Sequence, residues 1–207
     1  MPDQRELNKQ YLDAHKEAEP TYDKAGSRLR RAFLKLPRFY PYARGRDVLD
    51  LGCGGGFVTQ VLSFVASSAT GIDISENSIA YARSRFKRPS FVCCSFVELE
   101  GLDKQYGFIY SSEVIEHVSD VNLYMRVLAR LAAPDTHVYI TTPDSGHPKV
   151  PADITQWDVF NPPIHVQFFN RKAATILFDR YGFKILKFYK NRKPGLVFLA
   201  RKTAEPH

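Results

Sequence analysis

Two groups of residues in this 207-residue chain have types and spacings that can do chemistry. In the first, Asp50 precedes glycines at 52, 54 and 56, and Asp73 lies twenty-three residues beyond Asp50. A glycine turn running from a strand into a helix lets backbone amides approach a ligand closely. An acid at the end of the following strand of a βαβ unit can accept hydrogen bonds from both ribose hydroxyls of a nucleoside. The second group is Ser111-Ser112-Glu113-Val114-Ile115-Glu116-His117-Val118. A helix starting near Glu113 would set residues 113, 116 and 117 at i, i+3 and i+4, two carboxylates and an imidazole on one face. That trio can hold a divalent cation, which lowers the pKa of a bound alcohol or phenol. In the alternative, the carboxylates are solvated residues at a helix N-terminus and His117 alone serves as general base.

The elements that must position these residues can be read outward from the glycine turn. Val48, Leu49 and Leu51 make a short apolar strand over 47–51, and Phe57 to Val65 has helical spacing, placing a helix at 57–66. A second strand is expected at 69–73. Ser75-Glu76-Asn77 reads as the cap of a helix over 76–87 that Pro89 ends. Strands at 91–94 and 107–110, an amphipathic helix at 122–133 and a strand at 137–141 follow. This alternation predicts an α/β fold, doubly wound and mostly parallel, with helices on both faces and ligands at the carboxyl ends of the strands. The rhythm breaks from Thr142 to Asn170, which carries prolines at 143, 148, 151, 162 and 163 and the aromatics Trp157, Phe160, Phe168 and Phe169. A loop this long and aromatic is expected to be a substrate lid, with Trp157 and Phe160 as walls. A helix at 171–181 stopped by Gly182 and a hairpin of strands 183–189 and 196–201 about Lys193-Pro194-Gly195 complete the chain. Residues 1–40 are expected to form an N-terminal helical cap, with helices at 4–18 and 24–36 separated by Pro20. Its aromatics Tyr11, Tyr22, Phe33, Phe39, Tyr40 and Tyr42 suit packing, with Tyr11 or Tyr22 as candidates to close the site.

From the residues alone, the ligand of the glycine turn is either a dinucleotide or a smaller nucleoside. The pattern Asp-x-Gly-x-Gly-x-Gly, rather than Gly-x-Gly-x-x-Gly, resembles the first motif of the class I S-adenosylmethionine-dependent methyltransferases, and the resemblance extends over about residues 45–200. It implies a seven-stranded sheet with an antiparallel strand drawn from the C-terminal hairpin, and S-adenosylmethionine as cofactor. Asp50, Gly52, Cys53, Gly54, Gly56, Asp73, Ile74, Ser95, Phe96 and Ser112 are the implied cofactor-binding residues. Ser95 stands where related enzymes often carry an aspartate that contacts adenine; a serine brings one hydrogen bond and no charge. The Glu-x-x-Glu-His run resembles a motif of the ubiquinone-biosynthesis O-methyltransferases and of the enzymes that methylate the 3′-terminal 2′-hydroxyl of small RNAs. It implies a divalent metal, magnesium, manganese or zinc, on Glu113, Glu116, His117 and His165, with His117 as the catalytic group. The acceptor implied is a small hydroxylated or aromatic molecule. The alternatives are RNA 2′-O-methylation and a non-catalytic binding subunit.

Composition bounds these readings. With 44% hydrophobic residues and no repeat, residues 1–207 suit one domain, and no apolar run reaches the roughly 20 residues of a membrane helix. Cys53, Cys93 and Cys94 are odd in number and lack zinc-ligand spacing, and Met1 to Glu6 lack the pattern of a secretory signal, so a cytoplasmic location is expected. The net charge of +7 gathers at Arg28 to Arg46, Arg83 to Arg88 and Lys184 to Lys202. Such an excess is more commonly a solvated surface than a nucleic-acid footprint, so nucleic acid is not the favoured partner.

Overall fold

A computed structural model describes residues 24–162 and 164–203. The expected helix at 4–18, with Tyr11, Pro20 and Tyr22, lies outside the described residues, as does Pro163. Seven strands form one sheet: β1 (Asp47–Leu51), β2 (Ser68–Asp73), β3 (Ser90–Cys93), β4 (Tyr106–Ser112), β5 (Ala132–Pro143), β6 (Phe183–Tyr189) and β7 (Gly195–Lys202). Their order is β3-β2-β1-β4-β5-β7-β6. Neighbours from β3 to β5 pair in parallel. Because β7 runs antiparallel to both β5 and β6, it is the single reversed strand. The hairpin expected at the C-terminus thus closes the sheet by inserting its second strand inside its first.

Helices cover both faces because the central strands bury both of their sides; Val48, Leu49, Asp50 and Leu51 of β1 are all buried. On one face lie α1 (Ala25–Ala43), α2 (Phe57–Leu62) and α3 (Glu76–Arg85). Phe39 of α1 sits edge-on to Tyr110 and Tyr139 and also packs on Phe108. This contact explains why α1 continues past Pro37, where the sequence suggests a stop: burial of Phe39 and Ala43 outweighs the lost backbone bond of an internal proline. On the other face lie α4 (Phe96–Leu99), α5 (Val121–Leu131) and α6 (Arg171–Arg180), and Tyr124, Met125, Leu128 and Phe178 join the largest apolar cluster. Strand β5 begins five residues earlier than expected. Pro134 and Asp135 (φ 62°) are absorbed where the β4–β5 register shifts between Tyr106 and Phe108.

Residues 144–162 and 164–170 are folded. Ile154–Gln156 makes a 3-10 turn, and Phe168 stacks on Phe160 and tilts against Trp157, which is buried. Trp157 and Phe160 therefore form the loop's own small core and do not line the main cavity described below. No helix starts at Glu113. Its amide donates to Thr141 O, extending the β4–β5 edge, its φ is 57°, and only a single 3-10 turn, Ile115–His117, follows.

Candidate active site

The carboxyl ends of β1, β2 and β4 open on a cavity of about 440 Å³, within the size range of small-molecule sites. One wall is the glycine turn. Gly52, Gly54 and Gly56 all have positive φ, and a Cβ on Gly52 would meet Val114 Cγ2 at 2.2 Å. The turn is tied to β2 by the amides of Gly52 and Cys53, both donating to Ile72 O. Opposite, Asp73 ends β2; its Oδ2 accepts from Gly54 N at 2.7 Å and its Oδ1 from Ser75 N at 2.9 Å. A carboxylate has about four acceptor positions, so these two bonds leave capacity for further donors. Ile74, Phe96, Val97 and Leu99 give the remaining wall an apolar surface.

Of the residues singled out in the sequence, Gly52, Gly54, Asp73, Ile74, Ser95 and Phe96 line this cavity, and Asp50, Cys53, Gly56 and Ser112 do not. Asp50 is buried in β1 beneath the glycine turn, where its Oδ2 accepts from Thr59 Oγ1 at 2.6 Å. Burial first, and then Asp73, push its pKa up to about 7 against the Thr59 bond. Burial likewise raises the Cys53 thiol. Gly56 is the N-cap of α2, and its Cβ position points at Phe91. Ser112 Oγ pairs with Thr141 Oγ1 at 2.6 Å. The hydroxyl of Ser95 is held in a capping box with Glu98: Ser95 Oγ donates to Glu98 Oε2 at 2.6 Å and accepts from Glu98 N. That Ser-x-x-Glu signal is present in the sequence, and it assigns the hydroxyl to α4 rather than to a ligand.

Beside the cavity, Glu116, His117 and His165 bring one ligand atom each within 4.8 Å of one another. Glu113 stands outside this trio. It borders the cavity, accepts from Thr141 Oγ1 at 2.7 Å and acts electrostatically on Glu116. Glu116 is fully buried; Oε2 accepts from Thr142 Oγ1 at 3.0 Å, whereas Oε1 has no hydrogen-bond partner among the described residues. Burial, and next the Glu113 carboxylate, raise its pKa well above the usual carboxylate range. The two imidazoles are 4.6 Å apart. His117 Nδ1 lies 2.9 Å from Ile164 O and His165 Nδ1 2.7 Å from Val159 O. Each ring thus carries its proton on Nδ1 and turns Nε2 into the basic nitrogen, as metal-ligating histidines are commonly oriented. His165 reaches the cluster because the amides of Val166 and Gln167 both donate to Glu116 O.

An orphaned buried carboxylate oxygen next to two oriented imidazoles is a donor set that can hold a cation. With one oxygen and two nitrogens, it suits zinc, manganese or iron better than magnesium, which prefers oxygen ligands. Thr59, Thr141, Thr142 and Val114 complete the site and carry no motif that would single them out in the sequence. Lys35 of α1 reaches the same sheet edge, with Nζ 3.4 Å from Tyr110 Oη, and burial lowers its pKa.

Residues 20–187 match a family described as a methyltransferase domain. Similar sequences include a probable S-adenosylmethionine-dependent methyltransferase of Mycobacterium tuberculosis, 30% identical over 56% of this chain and 42% of the relative. Another is a ubiquinone biosynthesis O-methyltransferase of Rhizobium etli, 30% identical over 53% of this chain and 46% of the relative. The chain therefore spans less than half the length of these relatives. Among solved structures, an S-adenosylmethionine-dependent methyltransferase from Mesorhizobium loti superposes with a TM-score of 0.69 over 83% of this chain and 98% of that one, at 20% identity, a likeness of fold.

Proposed function

From the premise that this chain belongs to the methyltransferase-domain family, we propose that it uses S-adenosylmethionine to methylate the oxygen of a small hydroxylated or aromatic acceptor. The carrying observation is the position of His117, which borders the 440 Å³ cavity and belongs to the Glu116–His165 cluster. The cavity fits the cofactor. Asp73 keeps acceptor capacity for the ribose hydroxyls, Gly52 and Gly54 allow close backbone approach, and Phe96, Val97 and Leu99 offer an apolar bed to the adenine. Asp50 acts from beneath as a brace of the turn through Thr59.

S-adenosylmethionine supplies a methyl group already electrophilic on its sulfonium, so the protein's part is to align the acceptor oxygen, exclude water and take its proton. His117 Nε2 receives that proton when no cation is held. If a cation is bound, Glu116, His117 and His165 hold it, and it lowers the pKa of the acceptor hydroxyl. Segment 144–170 serves as the lid through His165, and α1 as part of a cap contributing Lys35. A cytoplasmic setting belongs to this reading, and no described helix is long and apolar enough to cross a membrane.

The test is binding of S-adenosylhomocysteine by calorimetry, followed by turnover on a panel of catechols, phenols and hydroxy acids before and after chelation. Binding with turnover that chelation abolishes, and that zinc or manganese restores better than magnesium, is the expected result. Turnover unaffected by chelation would return Glu116 and His165 to structural roles and leave His117 as base. Failure to bind S-adenosylhomocysteine would overturn the reading.

A further inference from the structure

A second cavity, of about 480 Å³, is lined by His147, Pro148, Arg171, Lys190, Asn191 and Arg192. Three separate segments build it at the sheet edge that carries the candidate active site. These are the turn after β5, the start of α6, and the turn after β6, since β5 and β6 point the same way. Hydrogen bonds hold the three together. Asp144 N donates to Pro194 O, and both the amide and the hydroxyl of Ser145 donate to Phe169 O. The three segments thus set their cationic side chains around one open concavity.

No carboxylate among the described residues lines this cavity. Among the described residues, no ion pair uses Arg171, Lys190 or Arg192, and the sequence has no acid between Asp179 and Glu205. Asp144, at the head of the His147 turn, is buried with Oδ1 accepting from Gly146 N. His147 Nδ1 accepts from Lys149 N, so its ring proton is on Nε2 and the ring is a donor even when neutral. Arg171 opens the ten-residue α6, where the helix dipole favours anions, and its guanidinium is braced over the Phe188 ring at 5.2 Å. Uncompensated cations, an amide and an imidazole donor around one hollow suit a dianion with several acceptor oxygens.

We propose that this cavity binds the phosphate group of a phosphate monoester, and that this phosphate belongs to the methyl acceptor. The second clause rests on the methyltransferase reading above. Thr142, whose hydroxyl bonds Glu116, lies at the end of β5, and His147 lies five residues on in the turn that follows, a span of at most about 18 Å. An acceptor long enough to span that separation would place its hydroxyl at the acid-imidazole cluster and its phosphate between Arg171 and Lys190. The cavity is far larger than one phosphate, leaving room for the ester's organic part. Three cationic side chains around one open hollow match the charge of one phosphate rather than the string of phosphates in a polynucleotide.

Phenyl phosphate titrated by calorimetry into the full chain saturated with S-adenosylhomocysteine tests this directly. The expected result is saturable binding, stronger than for benzoate at equal ionic strength. It should weaken about tenfold or more in Lys190→Gln and in Arg192→Gln, the loss of one hydrogen bond to a charged group, with S-adenosylhomocysteine affinity unchanged. These side chains are exposed, and the retained cofactor affinity certifies folding. Absence of phenyl phosphate binding, or binding indifferent to both variants, overturns the phosphate site while leaving the methyltransferase reading intact. Loss of S-adenosylhomocysteine binding by the parent chain would strike that reading instead. A short RNA that binds more tightly, with a salt slope reporting several phosphates, would overturn the single-ester assignment. Turnover confined to hydroxylated phosphate esters supports the acceptor assignment, and phosphate binding that leaves turnover of such esters undetectable refutes it.

Discussion

Replacing Asp73 with alanine separates the two tasks of this carboxylate. In the unliganded protein it accepts from Gly54 N and Ser75 N, joining the glycine turn to the start of α3. Hydrogen bonds to a charged group contribute about 1.5–3 kcal/mol each. Asp73 is only half-buried, so the lower end applies, and the two bonds together stabilise the fold by about 2–4 kcal/mol. For a chain of this length each kcal/mol moves the melting temperature by about 2–4 °C, so Asp73→Ala should melt roughly 5–15 °C below the parent. The remaining acceptor positions are those the proposed ribose contact would use, and their loss should weaken S-adenosylhomocysteine by about tenfold or more. Thermal melts with and without ligand read both effects, because the ligand-induced rise depends on ligand concentration relative to Kd. Calorimetry well below the lower melting temperature then gives the affinity itself. A variant that melts early yet keeps the full ligand-induced rise would show Asp73 to be a brace of the turn alone and refute the ribose assignment. An unchanged melting temperature would refute the bracing argument as well.

Asp50 makes stability depend on pH. Its folded pKa of about 7 lies above the unfolded value, so between about pH 4 and pH 7 the folded state holds a proton that the unfolded chain releases. Stability should therefore fall as pH rises through that window, by an upper bound of about 4 kcal/mol. Asp50→Asn, which keeps an oxygen for Thr59, should reduce this slope and leave the part contributed by Glu116, whose pKa burial also raises; urea midpoints at pH 5 and pH 8 that shift in parallel for parent and variant would contradict this. Gly52→Ala should destabilise the chain and impair cofactor binding, since its Cβ would lie 2.2 Å from Val114 Cγ2 at a φ of 77°. Val114→Ala in the same chain should restore part of the loss, and strictly additive melting shifts would exclude that contact as the cause. Ser95→Ala should cost about 1 kcal/mol through the lost cap with S-adenosylhomocysteine affinity unchanged; a loss of affinity without a loss of stability would reassign the hydroxyl to the ligand.

The sequence by itself determined what local patterns control. Alternating apolar strands and helical runs specify a parallel α/β sheet, since the periods 2 and 3.6 dictate which side of each element can be buried. The glycines at 52, 54 and 56 mark positive backbone angles that other residues resist, and the side chain of Ser75 does cap α3. Asp73 sits at a strand end because its spacing from the turn is that of one βαβ unit. Tertiary structure decided whatever depends on partners distant along the chain. Local spacing favours a helix at Glu113, yet pairing with Thr141, twenty-eight residues away, holds it in a left-handed conformation. Burial of Phe39 against three strand aromatics carries α1 through two prolines that local rules would treat as stops. His165 meets Glu116 and His117 only because the lid backbone hydrogen-bonds to Glu116 O. The basic hollow of His147, Arg171, Lys190 and Arg192 exists only where two turns and the start of α6 converge. Their charges are plain in the chain, but the concavity that concentrates them arises when β7 inserts between β5 and β6 and draws those turns to one edge.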